Sequence, residues 1–590
     1  MAALFTTPKR NDKTSGAHFV EPDVRRRTLL AHGSWRRVTR RIVVGAVCAL
    51  TVSSLLMPSV SLAAEWVDVG GSRYDAGTAA GDEAGTWSWD GADDMKLNGY
   101  NGGAIEAEGK LNVTYSGNNT VTNDNGRGIL VMDGNTENAK LNIQGDASST
   151  LNVTSSGDAI MSEGDIDIDG AGTVNATSTE HDAIDAKGNL TIKGSGNVNA
   201  TGDSDGIRAD DNITIDNSGT VTAKATEDQG IDAHEHLTIK GGGKVEASSI
   251  EDVAIWASGN IEIAGGSQVK ANSEEDSAVE AKGGLAVTNA SLNANGAGYG
   301  VYTYKGITLD GATVTVRASA GSGEASALFT DEDDIFIKNG SIVDAFAEGQ
   351  FSTAISTRNH NPNGAGGHIY ISDSVVKAIA RYVESDSDGP DHYSNDQSGV
   401  VIPEHRGVNI GIFARTEEGI TPATISIDRS KVTAEGDTAA IFALATSANG
   451  ETIGTIEIEG APIQTPTGGK IIGYRNKEEL DDGIFYEVGQ TIGTGDAVID
   501  SPYNEAVAKS TVIVPPEETK PEEKPGETKP ESSKSEGTKT TKTVAVATTG
   551  AKTTGRLAAT GDASNAAIVA AALAGTAAIA AGAVVSRKRS

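Results

Sequence analysis

Between about residues 104 and 350 the chain alternates apolar and polar residues in short runs. Ala183-Ile184-Asp185-Ala186 is echoed by Gly206-Ile207-Arg208-Ala209, Gly230-Ile231-Asp232-Ala233 and Ala254-Ile255-Trp256-Ala257. Each is followed by an alternating pair: Leu190 and Ile192, Ile213 and Ile215, Leu237 and Ile239, Ile261 and Ile263. A third short run then carries Val198 and Ala200, Val221 and Ala223, Val245 and Ala247, Val269 and Ala271. Alternation with a period of two puts one set of side chains on one face of a strand. The repeating unit is therefore three short strands separated by Gly-rich corners.

The anchor residues of this unit are Ile105, Ile129, Ile160, Ile184, Ile207, Ile231, Ile255, Val279, Val301, Leu328, Ile355, Ile412 and Ile441. Through the middle they recur every 23 or 24 residues. A unit of that length cannot bury its apolar face alone, and stacking the next unit completes a continuous core. The pattern predicts an all-β fold, a parallel β-helix with three strands per coil, right-handed as parallel crossovers are. A leucine-rich repeat would need Leu at fixed positions and a helical side, and neither is present. No proline occurs between Pro58 and Pro362, which suits an uninterrupted ladder because proline removes a donor. The helix is expected over 104–460. Residues 64–103, with Trp87, Trp89 and Tyr100, are expected to cap the first coil, and 461–513 the last. Insertions are expected at about 358–367 and 381–406, where long polar stretches separate the anchors.

The two ends carry different signals. Arg36, Arg37, Arg40 and Arg41 precede an apolar run from Ile42 to Leu56, and Ser61-Leu62-Ala63-Ala64 follows. Basic, apolar and small-residue regions in that order read as a secretory signal peptide over 1–63. Cys48 lies inside the apolar run and is the only cysteine, so no disulfide framework is expected. From 514 to 556 the chain is rich in Pro, Glu, Lys and Thr and has no apolar period. Such a linker stays extended. Residues 557–590 begin with Leu557-Ala558-Ala559-Thr560-Gly561, continue through an apolar stretch at 566–585 long enough to span a bilayer as a helix, and end in Arg587-Lys588-Arg589. This order resembles the sorting signal of Gram-positive wall-anchored proteins, in the Leu-Ala-x-Thr-Gly form. The resemblance implies a sortase that cleaves after Thr560 and joins it to peptidoglycan at the cell surface.

Composition narrows the function. A net charge of −33 argues against nucleic acid as a partner. Gly makes up 72 of the 590 residues and aromatics only 4 %, which suits a solenoid of small aliphatic side chains. Asp158, Asp182, Asp205, Asp228, Asp252 and Asp276 recur two or three residues before their anchors. Stacked coils would place them about one strand spacing apart, where like charges repel. Lys187, Lys224 and Lys282 balance part of this edge. A bound Ca²⁺, which favours carboxylate and carbonyl oxygens, would relieve the rest; a solvated acidic edge is the plainer alternative.

The stretches 182–192 and 205–215 make the chain resemble surface-displayed β-helical carbohydrate-binding domains, related in fold to pectate-lyase-type polysaccharide lyases. The resemblance covers about residues 104–350. It implies calcium-assisted binding of plant-type or acidic glycans, with Asp182 and Asp205 matching its acidic pattern best. Asp228, Asp252 and Asp276 stand one residue out of register. Sugar stacking needs aromatic rings outside the core. Trp256 follows an anchor and is expected to point outward, with Tyr299, Tyr302 and Tyr304 near it. These rings could instead fill out an irregular coil. A lyase of this fold would need a base beside a Ca²⁺-bound uronate; Arg208, beside Asp205, is the one candidate. His181, His234 and His236 lack metal-ligand spacing. The sequence thus predicts non-catalytic carbohydrate binding, with a protein-binding adhesin or stalk, and a polysaccharide lyase, as the alternatives.

Overall fold

The computed structural model describes residues 63–459, with breaks at 135–138, 322, 360–365, 384–392, 396–400, 404–408, 417–422, 437–438 and 446–453, and separate strands between 463 and 513. Contacts divide the chain into Met1–Glu518 and Thr519–Ser590. The second unit, the linker, Leu557 to Gly561 and the apolar stretch 566–585 lie outside the described residues, as does the signal segment before Ala63. No helix among the described residues is long and apolar enough to cross a membrane.

The architecture is the expected all-β, parallel β-helix. One coil consists of Ile184–Ala186, Leu190–Gly194 and Asn197–Thr201. The next consists of Ile207–Ala209, Ile213–Asn217 and Thr220–Lys224. Equivalent strands pair in parallel from coil to coil and build three long sheets. The anchor sheet holds the Ile-x-Ala strands, and the second and third sheets follow in chain order. Every anchor stacks on the next in register: Ile105 on Ile129, Ile129 on Ile160, and onward through Ile231 on Ile255 to Ile412 on Ile441. Register holds because a one-residue slip would turn the whole apolar set to solvent.

The core is a filament of Ile, Val, Leu and Ala contributed by all three sheets. Small inner residues on the third sheet, such as Ala176, Ala200 and Ala223, leave room for the larger anchors opposite. The residue before each anchor is Gly or Ala because the neighbouring coil passes close by. A Cβ on Gly230 would lie 2.7 Å from the Ala254 carbonyl oxygen and 2.9 Å from the Ser248 nitrogen. Gly230→Ala is therefore expected to cost about 1–3 kcal/mol through overpacking, read as a lowered urea midpoint. An unchanged midpoint would mean that the coils can separate locally at no cost.

Both ends switch from parallel to antiparallel pairing. Trp66–Val69 and Ser72–Asp75 form a hairpin that pairs antiparallel with Ile105–Glu108. Trp87–Trp89 pairs with Asp94–Asn98, which joins the second sheet. Trp87, Trp89 and Tyr100 are buried against the first coil. At the far end Asn504–Val507 and Ser510–Ile513 pair antiparallel with the last strands of the anchor and third sheets. The insertion at 381–406 carries a small hairpin, Tyr393–Asn395 with Val401–Pro403. Residues 384–392, 396–400 and 404–406 of it, with His392, His405 and Arg406, lie outside the described residues.

Candidate functional site

The residue after each anchor faces away from the core, so the outer face of the anchor sheet displays one such side chain per coil. From Met161 this column reads Asp185, Arg208, Asp232, Trp256, Glu280, Tyr302 and Phe329, each paired in register with the next. Two residues further on in each coil a parallel column runs through Lys187, Asp210, His234, Ser258, Lys282 and Tyr304. The face has an ionic half and an aromatic half.

Arg208 is the centre of the ionic half. Its Nη2 lies 2.8 Å from Asp210 and its Nε 3.4 Å from Asp232. Asp185 is 3.6 Å away, Asp205 3.9 Å and Asp182 4.0 Å. Burial works against the Arg208 charge, but Asp185, Asp210, Asp182 and Asp232 outweigh it and raise its pKa. Arg208, the candidate lyase base, is placed here as a counter-ion.

The carboxylates outnumber the cations. Lys187 reaches Asp185 at 2.7 Å, and Arg127 reaches Asp158 at 2.8 Å. His234 Nε2 is 2.9 Å from Asp232. Burial, followed by the charges of Asp182 and Asp232, pushes Asp205 up to about 9. Burial likewise pushes Asp185 up to about 6 and raises Asp182 and Asp232. One oxygen of Asp185 and one of Asp232 are buried and accept no hydrogen bond. Carboxylate oxygens of Asp158, Asp182 and Asp185 lie within 4.8 Å of one another. A concavity of about 360 Å³ adjoins Asp158 and is lined also by Glu106, Arg127, Leu130 and His181.

Four of the six aspartates of the acidic ladder fall into two pairs. The Asp205 backbone N–H donates to Asp182, and that of Gln229 donates to Asp205, at 3.0 and 2.8 Å. These two carboxylates tie their coil to the next. Asp252 and Asp276, one residue earlier in their coils, accept from the N–H of the residue that follows each. Asp228 is exposed. Asp185, Asp210 and Asp232 were not in the sequence-derived ladder; their signal is the position after an anchor, or three after it. Lys224, read as balancing the acidic edge, instead projects from the third sheet, where the strand Thr220–Lys224 belongs. Lys282 sits 5.2 Å over the Trp256 ring.

In the aromatic half Tyr299, Tyr302 and Tyr304 gather around Phe329. Tyr302 stacks on Phe329 with centroids 5.4 Å apart, and Tyr304 meets Tyr302 edge-on at 5.1 Å. Tyr299 contacts both Tyr302 and Phe329. Phe329 was missed in the sequence although it follows its anchor just as Trp256 does. Trp256 stands apart from the tyrosines, because Glu280 occupies the coil between. Its ring meets His234 edge-on at 5.8 Å. Burial, and then the charge of Asp276, pushes Glu280 up to about 7, against the opposing pull of Lys282. All four sequence-derived rings are half-buried, so each leaves part of its surface to solvent.

Residues 173–252 match a family model described as carbohydrate-binding domain-containing protein. The matched segment supports carbohydrate binding, and it contains Asp182, Asp185, Asp205, Arg208, Asp210 and Asp232. Neither a curated protein nor a solved structure matches the chain significantly.

Proposed function

We propose that this chain is a secreted, sortase-anchored surface protein of a Gram-positive bacterium, and that it binds carbohydrate through the outer face of the anchor sheet without cleaving it. The supporting observation is that the family match at 173–252 falls on the coils that carry the ionic half of that face. The aromatic half continues the same column and offers ring surface for the C–H face of a sugar. Carboxylates and the guanidinium beside it offer acceptors and donors for hydroxyls, the mix of apolar and polar groups that ligand sites use.

Calcium fits the crowded end of the face. Asp158, Asp182 and Asp185 would hold it, since their oxygens lie close enough to share one ion. A bound Ca²⁺ would supply open coordination positions for sugar hydroxyls or carboxylates. The sorting signal would then join the protein to peptidoglycan through Thr560, with sortase as the partner, and the linker would carry the β-helix outward.

Retention of the purified protein on neutral and acidic polysaccharides, with Ca²⁺ and with chelator, tests this reading. Chelation, or Asp182→Asn with Asp185→Asn, is expected to weaken retention about tenfold. Trp256→Ala with Tyr302→Ala should weaken it in Ca²⁺ as well. Retention indifferent to chelator would remove the metal and leave the face. Retention on no polysaccharide would favour a protein-binding adhesin or stalk. Release of unsaturated sugars would make the protein a lyase.

A further inference from the structure

The outer face of the third sheet carries a second surface of a different kind. Its strands Asn118–Asn123, Thr150–Ser155, Thr173–Ser178, Asn197–Thr201 and Thr220–Lys224 stack in parallel. Their outward positions are all Thr or Asn until Lys224. In a chain with 22 % charged residues, the outward positions of these five successive strands carry a single charge, Lys224. The asparagines are tied together, Asn152, Asn175 and Asn199 along the central column and Asn118 from the column beside it. Asn152 donates to Asn118, Asn175 to Asn152 and Asn199 to Asn175, at 3.0, 2.8 and 2.8 Å. These bonds hold the amides in fixed orientations. The flanking hydroxyls of Thr154, Thr177 and Thr201 have no side-chain partner among the described residues. The result is a rigid lattice of hydroxyls and amides, spaced about 4.8 Å between coils and about 6.6 Å along each strand.

We infer that this array is a second binding face, for the flat surface of an uncharged, ordered polysaccharide. The inference rests on the carbohydrate-binding reading above but concerns a different sheet. The family match at 173–252 also spans the third-sheet strands from Thr173 to Lys224 and so includes much of the array. A protein partner is disfavoured because the array holds no aromatic or arginine anchor, the residues that dominate protein interfaces. A single soluble chain is disfavoured too. Each hydroxyl contact replaces one with water and nets little, while a flexible chain must be ordered to make them. An ordered surface is already rigid and engages many contacts at once, so small gains accumulate. The fixed amides keep the protein side equally preorganised. The anchor-sheet face, with its charges and rings, suits an individual chain; the third sheet suits a solid.

The test compares binding of the purified full-length protein to insoluble cellulose and chitin particles with binding to soluble oligosaccharides of the same linkages. The variant Thr154→Lys, Thr177→Lys, Thr201→Lys puts exposed charges on the array and leaves the core untouched. A second variant, Thr154→Ser with Thr177→Ser and Thr201→Ser, keeps the hydroxyls. The lysine variant is expected to lose particle binding about tenfold or more and to keep soluble binding, while the serine variant keeps both. Particle binding unchanged in the lysine variant, or lost only with Trp256→Ala, overturns the second face and leaves the first. Self-association of the wild type that the lysine variant abolishes makes a second copy the occupant and also overturns it. No binding to particle or oligosaccharide by the wild type defeats both readings.

Discussion

Arg208→Gln is expected to destabilise the protein by about 3–5 kcal/mol, the usual consequence of removing one partner from a buried ionic group. The side chain is 23 % exposed and Asp185 and Asp232 beside it are nearly inaccessible, so water cannot replace the lost cation. The remaining carboxylates would face one another within a low-dielectric groove, where their repulsion is weakly screened. Glutamine keeps most of the volume and removes the charge, which separates electrostatics from packing. Urea unfolding followed by tryptophan fluorescence reads the change, and a shift below about 1 kcal/mol would mean that the cluster is solvated. Addition of Ca²⁺ should recover part of the loss, because a divalent ion can take the place of the guanidinium among oxygen ligands. In the wild type Arg208 already occupies the centre of the cluster, and the trio Asp158, Asp182 and Asp185 lies to one side of it. Asp182 and Asp185 belong to both groups, at 4.0 and 3.6 Å from Arg208, so the proposed ion and the guanidinium would share them.

Much of this was legible in the residues because the core imposes its repeat on them. Ile184, Ile207, Ile231 and Ile255 recur since each must fill the same place in the filament, and all anchors from Ile105 to Ile441 stack as their spacing implied. The outward positions carry no such constraint. In Ile-x-Ala the middle residue is Asp, Arg, Asp and then Trp, which reads as variation unless the column is followed down the sheet. Trp256 was assigned outward by that rule; the same rule applied to Asp185, Asp232 and Phe329 would have found the rest of the face. The six aspartates looked alike because all lie near corners. One residue of offset is enough to separate them: Asp182 and Asp205 receive an N–H from the next coil, while Asp252 and Asp276 receive one from their own. Likewise the Thr and Asn residues of the third sheet are unremarkable singly, and only pairing in register makes them a lattice.

Stability should fall as pH rises from about 4 towards 9, against the ordinary trend in which paired carboxylates favour the folded state at neutral pH. Burial pushes Asp185 up to about 6, Glu280 up to about 7 and Asp205 up to about 9. In the unfolded chain these groups titrate near the ordinary value of about 4. Below that pH both states are protonated and the stabilisation is fully present. As pH rises the unfolded chain releases its protons first, so folding loses stability until each folded group has also titrated. The loss therefore passes through Asp185, then Glu280, and ends with Asp205. The net charge of −33 adds repulsion in the same direction. Asp205→Asn removes the last step while its amide oxygen can still accept the Gln229 N–H. Thermal unfolding at pH 5, 7 and 9 should show a falling Tm in the wild type and a flatter profile between pH 7 and 9 in the variant. A wild-type Tm that rises from pH 5 to 9 would show that the carboxylates are ionised and compensated in the folded state. If Ca²⁺ is held as proposed, it should flatten the wild-type profile from the other side, because a divalent ion takes carboxylates in their ionised form and would stabilise the folded chain most where Asp182 and Asp185 are charged. A Ca²⁺ effect on Tm that grows with pH would therefore tie the raised pKa values and the metal to the same carboxylates; an effect independent of pH would place the ion elsewhere.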